Sequence, residues 1–228
     1  MIAVILAADH GRAETRGSIR DVHRLSLCIR FQTMLKFCFY RSRFLITPLA
    51  AALQFSAFPS EAAQANNPPL IALIDMTVAR LNIARQVALS KWDSHQPVED
   101  LPREADVIAA AGEEARAAGL PEHFARQFFA DQIEANKLVQ YGLMAQWHCA
   151  AQAPDDKRLD LKKDIRPMLD GIQSGFINAL VDMKAWRARA DCSAQLAQAT
   201  QAYIQSHDQD PLYAVALDRA LARVCAQG

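Results

Sequence analysis

The chain is expected to fold as an all-α protein of six helices, and three observations predict this. Apolar residues beyond residue 69 recur at three- and four-residue intervals, the mark of helices with one buried stripe. Glycine (8) and proline (10) are sparse beside a large Ala, Leu and Gln content, which leans towards helix. Runs of alternating β-branched residues with hairpin turns are missing, so strands have no support.

The first helix is expected from about Leu70 to Ser94, after Pro68 and Pro69, with Ile74, Val78, Leu81, Val87 and Ala88 at helical spacing. Ser94-His95-Gln96-Pro97 breaks it. Asp100 can cap a second helix, which tolerates Pro102 in its first turn and stops at Gly119. Pro121 opens a third, reaching about Trp147, with Phe124, Phe128, Ile133 and Val139 among its apolar positions. The polar connection Pro154-Asp155-Asp156-Lys157 leads to a fourth helix ending near Arg189. A short helix from Ser193 to Gln205 and a last one from Pro211 to Ala226 complete an orthogonal or bundle-like arrangement.

With 228 residues, 51% of them hydrophobic, the chain can bury one sizeable core. Its 25 basic and 25 acidic side chains cancel, so nothing draws the whole molecule to nucleic acid or to an anionic membrane. Any anion site must therefore be a local cluster of Arg and Lys. No Gly-rich phosphate loop, zinc-type Cys/His spacing or internal repeat is visible, and neither a cofactor nor a metal is expected.

From Met34 the sequence has the order of a signal peptide: basic Lys36, Arg41 and Arg43, then an apolar run from Phe44 to Phe58, then Ala63-Gln64-Ala65. Cleavage would leave a mature domain of residues 66–228, periplasmic or secreted and free of stable membrane association. The alternative is a membrane anchor, but the run of about fifteen residues falls short of the ~20 that a spanning helix needs. Residues 1–33 look unlike the basic first region of a signal and read as a mis-called or untranslated extension upstream of a true start at Met34. Three cysteines then remain: Cys149 just past a long helix, and Cys192 and Cys225 bracketing the C-terminal helix pair. An oxidising compartment favours one bridge, Cys192–Cys225, with one thiol left over; the other reading makes all three small buried hydrophobes.

Several polar residues sit where a bland helix would not put them. Arg80 and Lys91, eleven residues apart, point to one side of the first helix, beside its apolar face. They either serve a site or snorkel to the surface, the usual fate of long cations. Asn136 and Gln140 share a face of the third helix, inside a polar string from Asp131 to Lys137 that a solvated face would also explain. Arg103 and Glu104 lie in the first turn after the Asp100 cap, where free N–H groups favour an anion. Arg166 stands at the start of the fourth helix.

Taken together, Arg80, Lys91-Trp92, the segment from Pro97 to Glu104 and the segment from Asp131 to Tyr141 resemble the helical (AroQ) chorismate mutases. More narrowly, the chain is similar to their secreted gamma subclass over Leu70 to Cys225, including the leader, the extended C-terminal helices and the Cys192/Cys225 pair. The resemblance implies an isomerase that converts chorismate to prephenate. Lys91 and Gln140 correspond to the donors to the substrate's ether oxygen, and Arg80 to a carboxylate binder. Arg103 corresponds to a ligand contact from the second helix, Glu104 to the acceptor of the ring hydroxyl in some members, and Asn136 to a Ser or Thr that bonds a carboxylate. Asp100 would contribute through its cap. Arg166 looks like the arginine that completes the site within one chain, which implies a homodimer with two self-contained sites. The rivals are an isochorismate pyruvate-lyase on the same scaffold and a secreted helical binding protein without activity.

Overall fold

The computed structural model of the protein describes residues 68–225; the expected leader at 34–65 and the upstream segment 1–33 lie outside the described residues. Seven α-helices and one π-helical turn are found among them, and no strand. Helix α1 spans Pro68–Ser94, α2 Leu101–Ala117 and α3 Glu122–Ala150. The π turn Leu161–Ile165 leads directly into α4, Arg166–Asp182, followed by the single turn α5, Lys184–Arg187. Helices α6, Cys192–Ser206, and α7, Pro211–Leu221, close the chain.

The differences from expectation are local. Pro68 and Pro69 form the first turn of α1 rather than preceding it, because the N–H groups they lack would have no helical partner there. Helix α3 runs on to Ala150, so Cys149 lies in its last turn and not beyond it. The expected fourth helix is three pieces, making seven helices where six were expected. At its start Pro167 carries no N–H, so the helical register slips there without sacrificing a bond, and Arg166 N–H reaches Leu161 five residues back. At its end the chain turns at Met183, whose side chain is fully buried.

The caps are as the sequence suggests. Asp100 accepts from the Arg103 N–H (3.3 Å), and Glu104 returns the contact by accepting from the Asp100 N–H (3.0 Å). Gly119, at φ +83°, takes the left-handed conformation that ends α2.

Helix α3 is the spine: its most extensive packing is against α7, α2 and α1, while α4 lies against α1. The centre is aromatic, with Phe128 meeting Phe129 and Phe176 edge-on, each at 5.3 Å between ring centroids. Helix α7 approaches α3 so closely that a Cβ on Gly142 would stand 2.5 Å from a Leu212 methyl, so any larger residue there would force Leu212 to move. Among the described residues no helix is long and apolar enough to cross a membrane.

Cys192 and Cys225 are joined in a disulfide, with Cα atoms 5.8 Å apart, that ties the start of α6 to the turn after α7. Cys149, expected to be the thiol left over, is exposed and carries a bond of its own, so it is neither spare nor a buried hydrophobe. The Cys192–Cys225 bridge spans 33 residues of sequence, which corresponds to about 3 to 4 kcal/mol in the chain-entropy account. Cys192→Ala/Cys225→Ala should therefore melt roughly 6 to 15 °C lower in a calorimeter. An unchanged melting temperature would show that the bridge does not support the fold.

Candidate active site

Four helices bring short stripes of residues to one pocket. Arg80, Val87 and Lys91 come from α1; Ile133, Asn136, Lys137 and Gln140, at intervals of three and four, come from α3. The start of α2 and the loop before it supply Val98, Asp100, Arg103, Glu104 and Val107. The π turn supplies Leu161 and leads to Arg166, and the stripe continues along α4 as Leu169, Asp170 and Gln173. The cavity has a volume of about 140 Å³, and every site residue expected from the sequence lines it.

Arg80 does not snorkel: it is only 6% exposed, and its Nε finds no hydrogen-bond partner. Burial pushes its pKa down to about 10, and the field of Asp170 opposes that only in part, so the group stays charged at neutral pH. A buried cation with an orphaned donor is costly unless an anion meets it. Arg80 is therefore a candidate for meeting one.

Lys91 is half-buried, and its Nζ donates to the Val98 carbonyl in the α1–α2 loop. Desolvation lowers its pKa below the ordinary lysine value; Asp100 and Glu104 act against this and Lys137 with it. The solvated-face reading of residues 131–137 also fails. Asp131 is 1% exposed and accepts from Arg219 and Arg223 of the C-terminal segment, while Gln132 donates to the Ala220 carbonyl. Asn136 and Gln140 face the pocket, joined by a 2.8 Å bond from Gln140 Nε2 to Asn136 Oδ1. Asn136 Nδ2 donates in turn to the Arg80 carbonyl (3.1 Å).

Glu104 has protein partners on both oxygens, the Asp100 N–H and Lys137 Nζ (3.0 Å). Arg103 reaches Asp170 only at 4.0 Å and remains partly exposed, so its fork can turn to a ligand. Arg166 is also half-buried.

Sequence reasoning missed Lys137, Asp170 and Gln173. Lys137 is nine-tenths buried and also pairs with Glu134 (2.7 Å). Burial works against its charge, but hydrogen bonds to Glu134 and Glu104 outweigh that and raise its pKa. Its position three residues before Gln140 was the available signal, but in the sequence it reads as one more cation in a charged string. Gln173 donates to Glu114 (2.9 Å) and so braces α4 against α2.

Residues 71–141 match the family described as chorismate mutase type II, a span that holds every expected site residue except Arg166. Over a longer stretch, the chain is 42% identical to a chorismate mutase from Burkholderia phymatum. It covers 100% of that crystal structure with 73% of its own length, at a TM-score of 0.69. This chain belongs to the chorismate mutase family.

A chorismate mutase from Burkholderia thailandensis, 34% identical, is covered in full by 70% of this chain at a TM-score of 0.66. The secreted chorismate mutase of Mycobacterium tuberculosis is 27% identical over 79% of this chain and 86% of its own. For a chorismate mutase the pocket composition is apt. Five cationic side chains (Arg80, Lys91, Arg103, Lys137, Arg166) face three carboxylates (Asp100, Glu104, Asp170), a surplus of two positive charges for a dianion.

Proposed function

We propose that this pocket converts chorismate to prephenate within a single chain, with Arg80, Arg103 and Arg166 holding the two carboxylates and Lys91 and Gln140 serving the ether oxygen. The observation that carries the reading is Arg80, a buried guanidinium whose Nε has no protein partner, set among the other cations of the pocket. The rearrangement is pericyclic, so it requires no nucleophile. Its barrier lies in reaching a compact conformer and in supporting charge on the breaking C–O bond. Arginine-held carboxylates serve the first need by positioning. Lys91 and Gln140 serve the second as donors fixed where negative charge develops, and removing such a donor typically costs ~100-fold or more in turnover. Val87, Val107, Ile133, Leu161 and Leu169 keep the surroundings apolar, which strengthens each of these contacts. Asn136 and Glu104 border the same space, and Asp100 holds the first turn of α2 in place.

The reading extends to location. The basic, apolar and small-residue order from Lys36 to Ala65 supports export with cleavage after Ala65, and relatives from two mycobacteria are named as secreted. A homodimer with one complete site per subunit follows from the same resemblance, and Arg166 of this chain lining its own pocket agrees with it.

The test is to purify the exported protein, read its N-terminus by mass spectrometry and follow both chorismate and isochorismate. Chorismate should disappear with matching formation of prephenate, from a chain starting within two residues of Asn66. Pyruvate release from isochorismate without prephenate formation would make the scaffold a lyase instead.

A further inference from the structure

We infer that Asn136 is a positioning residue for this reaction, acting on Gln140 rather than on the substrate. The inference rests on the chorismate reading above and assigns Asn136 a part different from the carboxylate contact that the resemblance implied. Both side chains are buried, at 7% and 3% exposure, one helical turn apart on α3. Asn136 Nδ2 donates to the Arg80 carbonyl, which identifies its other end, Oδ1, as an acceptor facing Gln140. Gln140 must therefore turn its nitrogen towards Asn136, since the reverse orientation would set two amide oxygens against each other.

The consequence reaches the reacting atoms. With one N–H of Nε2 held by Asn136, the second N–H on the same nitrogen is left for the ether oxygen. Gln140 Oε1 is buried without a partner, so nothing else on the protein dictates which way this amide faces. If Asn136 is lost, the amide is free to rotate and present its oxygen to an oxygen that is gaining negative charge. The anchor matters as well. Because Asn136 hangs from the backbone of Arg80, it sets the spacing between the carboxylate binder and the ether-oxygen donor.

Steady-state kinetics on chorismate with the exported protein test this, using N136A, N136D, Q140A and the N136A/Q140A double variant. N136A should lose roughly tenfold to a hundredfold in kcat with KM changed by less than about threefold. N136D keeps an acceptor for the Gln140 amide, so its kcat should exceed that of N136A. Its KM should rise, because it adds a negative charge beside a dianion. In the Q140A background N136A should cost nothing further, since there is no amide left to orient. Fully additive losses, or a rise in KM alone for N136A, would overturn the inference and return Asn136 to a direct substrate contact. N136D keeps the side-chain volume, so if N136A folds poorly its kcat is compared with the parent's: a loss of less than about a hundredfold is expected, and a larger one would overturn the inference. A parent protein that leaves chorismate unchanged would instead sink the functional reading itself.

Discussion

Gln140→Glu should be nearly inactive at neutral pH and should recover turnover as the pH falls, whereas the parent should show no such acid requirement from this position. An amide carries its donor hydrogens at every pH, but a carboxyl group donates only when protonated. At position 140 the side chain is 3% exposed and sits in a pocket that also holds Arg80 and Lys91. A carboxylate there would turn a second negative oxygen towards the ether oxygen just as charge develops on it. Gln140→Ala removes the donor without adding charge, and should lower kcat on the order of 100-fold or more with a much smaller change in KM. The measurement is a pH series of kcat and KM for the parent and both variants. Equal activity of Gln140→Glu and parent at neutral pH would take Gln140 out of the mechanism.

Arg80→Met should make the free protein more stable and the enzyme much worse, and the opposite signs are the point of the experiment. Burial has already lowered the Arg80 pKa to about 10, which records that its charge is poorly compensated when the pocket holds no anion. An unbranched apolar side chain of similar reach removes that cost. Replacing buried ion pairs by hydrophobic side chains of similar volume has been neutral or has gained about 1 to 4 kcal/mol in other proteins; Arg80 gives up only the field of the largely exposed Asp170, so a higher denaturation midpoint is expected. The substrate, however, loses the cation that balances one carboxylate in a desolvated site. A partner removed from a buried charge pair typically costs 2 to 5 kcal/mol, so kcat/KM should fall by ~30- to 5000-fold. Denaturant melts and initial rates on the same preparations check both halves. A variant less stable than the parent would mean that Arg80 is a structural residue, and that its orphaned Nε is not the mark of a ligand site.

Much of the molecule was legible in the chain because it depends on local physics. Helical spacing of apolar residues located α1, α2 and α3 to within a few residues, because a stripe at that period can be buried only as a helix. Asp100 and Gly119 announced the ends of α2, and the Asp100 cap reaches a partner only three residues away. The bridge between Cys192 and Cys225 could be expected because a helix hairpin returns to its start. For the site residues, spacing showed only that Arg80 shares a side with Lys91, and Asn136 with Gln140; their roles came from the resemblance.

Which of those polar residues are buried, and what each one faces, was decided by tertiary structure. The string from Asp131 to Lys137 reads the same whether it faces water or protein. Its burial depends on Arg219 and Arg223, some ninety residues further on, which arrive to pair with Asp131. Lys137 became part of the pocket because Glu104, on another helix, offers a carboxylate that makes its burial tolerable. Arg166 is placed by a slip of one residue in the hydrogen-bond register before Pro167, which apolar periodicity does not record. The sequence by itself thus determined the helices, their caps and one bridge, since those rest on contacts within a turn or a hairpin. The fold alone decided which charges enter the core, because that depends on what distant segments bring to each one: partners to Asp131 and Lys137, and the wall of a pocket to Arg80.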